Sequence, residues 1–254
     1  MDQVELEIPN FCIERNSIVK TKILSRLWSL SQERSLRILD VGCGNAEWLI
    51  PLLDNIKSID YFGIEPGHSL VLQARINLPE HAHQIYQGRG EDISTMFHSS
   101  FDVIISRAVF EHVLNRDNFI NSITRALLPG GTLLLTYGTN HFKEGLRTDV
   151  RNFVTAILAR IGYDRYYASP VNRSYLMTSL QREGLQILEE KCYSLDDLKM
   201  AHKLISDPQI SSTVLLNWLQ IEDAINSNSS DHEKLETLTN EMYFEALKME
   251  ASKQ

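Results

Sequence analysis

Gly42 and Gly44 interrupt an apolar run at LRILDVGCGNAEWL, residues 36–49, and they define the chemistry open to this chain. An apolar strand that ends in such a turn before a helix exposes backbone N–H groups. The missing Cβ atoms let a ligand approach the main chain closely. Glu65 stands 21 residues after Gly44, at the end of a second apolar segment, YFGIE. A carboxylate about 20 positions beyond a glycine turn has the spacing to accept hydrogen bonds from two ribose hydroxyls. The turn alone also suits a plain strand–helix connection, so the pair of features carries the argument.

Two ligand classes compete for this turn. A nicotinamide or flavin dinucleotide asks for G-x-G-x-x-G, and counting from Gly42 the third glycine falls on Glu47. A glutamate there is bulky for close helix–strand packing. It also sets a negative charge where a helix N-terminus normally receives pyrophosphate. A ligand with a positive charge and no phosphate fits better. S-adenosylmethionine carries a sulfonium and an ammonium, and Asp40 before the turn can attract the ammonium directly or through water.

The ordered motifs LDVGCG (39–44), GIEP around Glu65, GRGEDI (88–93), FDVIISRAVFEHV (101–113) and LLPGGTLLLT (127–136) resemble the class I S-adenosylmethionine-dependent methyltransferases. The resemblance covers about residues 35–138 and, more loosely, 174–193. It implies that Asp40, Gly42 and Gly44 hold the methionine part and Glu65 the ribose. It places Gly90, Glu91 and Asp92 along the adenine, although Arg89 stands where many relatives open this loop with aspartate. It sets Ser106 and Arg107 to offer backbone groups to the methionine end. Ala46 replaces a glycine frequent in the first motif, a change expected to be tolerated at a helix start. S-adenosylhomocysteine is the implied product, and no metal is expected.

Methyl transfer is an in-line displacement at a carbon activated by its sulfonium leaving group. It needs placement and exclusion of water, and a base only where the nucleophile carries a proton it cannot lose alone. His112, in FEHV, and His141, after the fifth strand, are the candidate bases. For His112 packing or cofactor positioning is the favoured reading, because the family carries EH here with many acceptors. Trp48 and Tyr137 are read as packing residues and Cys43 as a turn residue. Tyr163, Tyr166, Tyr167 and Tyr175 either wall an acceptor site or form the core of a cap.

The elements that must position these residues alternate. Strands are expected within 36–41, 60–65, 83–87, 101–106 and 132–138, with helices at 46–53, 68–78 and 116–131. Apolar residues from Ile18 to Leu30 have helical spacing. Residues 174–195 read as helix, glycine, strand; 196–226 as helical; NSNSSDHE as a polar turn; and EMYFEALKME as either a helix or a closing strand, with the strand favoured. The fold class expected is α/β: a Rossmann-like, doubly wound, mostly parallel sheet with helices on both faces, plus an N-terminal helix and a helical cap. Residues 1–34 form the N-terminal segment, 35–139 and 174–254 the ligand-binding domain, and 140–173 the cap insertion.

Hydrophobic residues at 43% of 254 suffice for such a core, and the formal charge of −8 argues against a nucleic-acid partner. Arg147, Arg151, Arg160, Arg165 and Arg173 read as a solvated face. Cys12, Cys43 and Cys192 are too few and too scattered for a disulfide framework or structural zinc. With no signal-like N-terminus or long apolar run, a cytoplasmic enzyme acting on a small-molecule acceptor, away from membranes, is expected. Runner-up readings are a protein or tRNA methyltransferase, a non-methylating binder of the same cofactor, and a dinucleotide oxidoreductase. The acceptor, the attacked atom and the oligomeric state are not legible in the sequence.

Overall fold

A computed structural model describes residues 8–14, 17–139, 154, 167–195 and 204–250. Its centre is a seven-stranded sheet of order β3-β2-β1-β4-β5-β7-β6. The strands are β1 (Leu36–Val41), β2 (Ile59–Glu65), β3 (Ile85–Gln87), β4 (Phe101–Arg107), β5 (Leu127–Gly138), β6 (Leu185–Leu195) and β7 (Thr239–Lys248). The first five run parallel, and β7 lies antiparallel between β5 and β6. β1 and β4 are buried along most of their length because helices cover both faces, as a parallel sheet requires.

The chain order reverses between β1 and β4, so a crevice opens beyond their carboxyl ends. One core layer joins α1 (Ile18–Glu33), through Ile23, Leu24 and Leu27, to Ile38, Val103 and Ile105 of the sheet. The other joins α5 (Arg116–Ala126) and α6 (Arg173–Arg182) to Leu39, Ile104 and Leu133. Ser17, Asn115, Asn172 and Asp207 cap helices by accepting backbone N–H bonds, which sets where each helix begins.

The closing segment is the expected strand. Pro51 sits in the first turn of α2 (Ile50–Asn55), where its missing N–H costs no hydrogen bond. α3 (His68–Asn77) and the short α4 (Ile93–Met96) follow β2 and β3. Several boundaries differ from expectation. α5 stops at Ala126 rather than at Pro-Gly-Gly, because Leu127 already pairs with Phe101, and Gly130 turns the chain at φ +74°. Helix α7 runs Pro208–Asn228, beginning at the Asp207 cap, and residues 196–203 of the expected helical stretch lie outside the described residues. The polar turn shrinks to Ser229–Asp231, since α8 (His232–Leu238) starts at once. The proposed cap, 140–173, is described only at 154 and 167–173.

Candidate functional site

The glycine turn sits at the end of β1. Gly42 adopts φ +73° and donates its N–H to Ile64 O at 2.8 Å, tying the turn to β2. A Cβ on Gly42 would lie 2.3 Å from Val109 Cγ2, so the loop after β4 closes directly on this residue. Gly44 differs. Its φ is +58°, yet an added Cβ meets nothing within 4 Å. Bare backbone therefore faces open space at this point, as a closely approaching ligand requires. Ala46 holds φ +56°, a left-handed conformation that a methyl group disfavours, which explains why glycine suits this position.

Glu65 is only 7% exposed, and both of its oxygens are engaged. Oε2 accepts the Gly44 N–H at 3.1 Å and Oε1 the Gly67 N–H at 2.8 Å. The carboxylate thus braces the turn. A carboxylate offers about four lone-pair sites, so two remain for hydroxyl donors.

Two cavities flank the turn and share Gly42. The first, about 620 Å³, is lined by Asp40, Gly44, Glu47 and Trp48, with Glu14 and Lys20 from the N-terminal segment and Arg107 from β4. Asp40 is buried, and burial pushes its carboxyl up to about 7, against the pull of Arg107 and the Tyr61 hydroxyl 3.5 Å away. Burial lowers the Lys20 ammonium, opposed by Glu14. Arg107 lies over the Trp48 ring, 5.9 Å from its centroid. Glu47 is exposed at the helix start and accepts from Asn45 Nδ2 at 3.0 Å. Burial raises the Cys43 thiol, so this cysteine stays protonated.

The second cavity, about 910 Å³, runs along Glu65, Gly67, His68 and Leu70, past Ala108 and Val109 to His112 and Tyr167. His112 is exposed here, so of its two favoured roles, packing and cofactor positioning, exposure corrects the first only. Its Nδ1 lies 2.8 Å from the carbonyl oxygen of Tyr167.

Other expected site residues stand elsewhere. Gly90 is closed off: a Cβ there would lie 2.2 Å from Phe119 Cε2 and 3.0 Å from Val41, so its glycine serves helix packing. The Glu91 carbonyl accepts from Ser122 Oγ and Asn118 Nδ2, which anchors that loop on α5, and Asp92 is exposed. Gly90, Glu91 and Asp92 line neither cavity. Ser106 lies inside the sheet between Val41 and Leu135, its hydroxyl buried without a partner among the described residues. Arg107 reaches the first cavity with its side chain, beyond the backbone role expected. His141 lies outside the described residues. Lys20 and Glu14 were not anticipated. Their signal was present only as charged positions in and just before an otherwise apolar-faced helix.

A crevice at the reversal point of a parallel sheet, floored by a glycine turn and a strand-end carboxylate, defines a Rossmann-like binding fold for an adenosyl ligand. Within that class the family is established: the model for a methyltransferase domain matches residues 14–190, and the chain belongs to this family, with the class I S-adenosylmethionine-dependent fold. It is 26% identical over 172 residues to a malonyl-[acyl-carrier protein] O-methyltransferase of Geobacter sulfurreducens, covering 67% of this chain and 63% of that protein. It is 29% identical over 112 residues to a ubiquinone biosynthesis O-methyltransferase of Maricaulis maris, covering 42% and 43%. The chain thus spans less than two thirds of either relative. A S-adenosylmethionine-dependent methyltransferase structure from Archaeoglobus fulgidus shares the fold, with TM-score 0.56, 16% identity, and coverage of 92% of this chain and 96% of that one.

No described helix is long and apolar enough to cross a membrane. Among the described residues no group of three or more His, Cys, Asp and Glu side chains is placed to hold a metal ion.

Proposed function

We propose that this protein transfers the methyl group of S-adenosylmethionine to a small-molecule acceptor. The observation that carries the reading is the braced turn: Glu65 holds Gly44 in place beside open space and keeps lone pairs for a ribose diol. The first cavity suits the amino-acid end of the ligand, an ammonium toward Asp40 and a carboxylate toward Lys20 and Arg107. The carboxylates Asp40, Glu47 and Glu14 around it disfavour a pyrophosphate and favour a cationic ligand. When bound, S-adenosylmethionine supplies an electrophilic methyl carbon. The protein's own part is to orient donor and acceptor in line and to exclude water.

Acceptor choice falls to N-terminal residues 1–30 and to residues 140–173, which precede or interrupt the alternation of strands and helices. Tyr167, at the exit of the second segment, lines the cavity beside Glu65 and His112, which supports a role for that segment. The curated relatives are named as O-methyltransferases, which favours oxygen as the attacked atom. Incubation with methyl-labelled S-adenosylmethionine and a panel of hydroxylated, carboxylic and amine metabolites, read by mass spectrometry, tests the reading. One acceptor should gain the labelled methyl with stoichiometric S-adenosylhomocysteine. Release of S-adenosylhomocysteine with no labelled acceptor across the panel would count against it.

A further inference from the structure

The segment 167–170, at the exit of the 140–173 insertion, is stitched to the turn after β4. The Ser169 N–H donates to Glu111 O at 2.9 Å. Arg116, at the start of α5, donates to Ser169 O at 2.9 Å, Ser169 Oγ at 2.8 Å and Pro170 O at 2.9 Å, and its Nε reaches Phe110 O at 3.3 Å. These bonds hold the Tyr167 carbonyl against His112 Nδ1 at 2.8 Å. A carbonyl only accepts, so the shared proton belongs to Nδ1. In a neutral imidazole, Nε2 is then the bare acceptor. The ring lines the same cavity as Glu65.

Resting on the methyltransferase reading, we propose that this strap, held by Arg116, fixes the tautomer of His112 so that Nε2 takes the proton of a hydroxyl acceptor. The step balances. As the hydroxyl oxygen bonds to the methyl carbon, the carbon–sulfur bond breaks, its electron pair stays on sulfur, and the hydroxyl proton moves to Nε2. One positive charge leaves sulfur and one appears on the imidazolium, whose Nδ1–H still meets the Tyr167 carbonyl. The exposed ring then returns its proton to water. A carboxylate acceptor has no proton to give, so the base serves an alcohol or phenol acceptor. Charged and titratable groups around the ring are Glu65, His68 and Tyr167 across the cavity, Glu111 before it and Arg116 behind the strap.

The test reads the ring directly. Nitrogen-15 NMR of the ligand-free protein at alkaline pH should show His112 protonated at Nδ1. In Arg116→Ala the tautomers should mix, and Arg116→Lys should restore the signal in part. With a hydroxyl acceptor, His112→Gln should lower kcat roughly 10²–10⁴-fold and remove the rising limb of the pH profile. Arg116→Ala should lower kcat roughly 10–100-fold at unchanged KM for the donor, as for partners that orient a histidine from outside. A His112 protonated at Nε2 in the folded wild type, or a pH profile unchanged in His112→Gln, overturns the proposal. Calorimetry with S-adenosylhomocysteine on the same samples separates the two claims. A wild type that binds it while His112 fails these tests leaves the methyltransferase reading standing.

Discussion

Removal of the Glu65 carboxylate should have two separable effects, because this group braces the turn and is the proposed acceptor for the ribose diol. In the free protein it accepts N–H bonds from Gly44 at 3.1 Å and Gly67 at 2.8 Å while 7% exposed. A hydrogen bond to a charged group is worth roughly 1.5–3 kcal/mol. In Glu65→Ala, cavity water can reach both amides, so the loss of stability should stay near about 1–2 kcal/mol rather than the sum of two bonds. The ligand loses its diol acceptor as well, another 1.5–3 kcal/mol or roughly 10- to 150-fold in Kd. Glu65→Gln, which keeps one carbonyl oxygen, should fall between. Urea unfolding and calorimetric titration with S-adenosylhomocysteine measure the two effects on the same preparations. An unchanged Kd in a variant with native circular dichroism would remove Glu65 from the ligand site. An unchanged unfolding midpoint would show that the brace contributes nothing.

Asp40 supplies a pH signature. Burial raises its carboxyl to about 7, so between about pH 4 and 7 the folded protein retains a proton that the unfolded chain has released. Its contribution to stability therefore falls as pH rises through that window. Asp40→Asn should melt above wild type at pH 8, with the difference shrinking toward pH 4, and should weaken cofactor binding; thermal scans showing no such trend would refute the assignment. The two turn glycines should respond differently to a methyl group. Gly42→Ala drives Cβ to 2.3 Å from Val109 and should lower stability by about 1–3 kcal/mol in urea titrations. Gly44→Ala meets no protein atom within 4 Å, so it should cost about 1 kcal/mol of stability yet weaken S-adenosylhomocysteine binding by roughly tenfold or more. Equal affinities for wild type and Gly44→Ala would place the ligand elsewhere.

The strand–turn–helix at Gly42 and Gly44, the strand-end Glu65 and the alternation through β5 were legible because each has a local pattern: an apolar run, a glycine pair, a spacing. The closing strand β7 was only half legible, since EMYFEALKME suits helix or strand, and pairing with β5 and β6 decides for strand. What was not legible depends on contacts across the fold. The bond from Glu65 to Gly44 appears only once β1 and β2 are paired in register. Gly90 looked like a ligand-side glycine, but it is small because Phe119 of α5 lies on it, a contact 29 residues away in the chain. Lys20 reaches the cavity because α1 packs across the sheet near the crevice, which helical periodicity alone does not reveal. The sequence offered His112 as a base, a packing residue or a cofactor-positioning residue; the carbonyl that the 167–170 segment brings to its Nδ1 comes from 55 residues away and has no local signal.

The central claim is tested most directly by calorimetric titration of the ligand-free protein with S-adenosylmethionine, S-adenosylhomocysteine and NAD under one set of conditions. The geometry around Gly44, Asp40, Glu47 and Glu65 predicts binding of both adenosyl compounds at a one-to-one ratio and none of NAD. Binding of NAD without either adenosyl compound would contradict it.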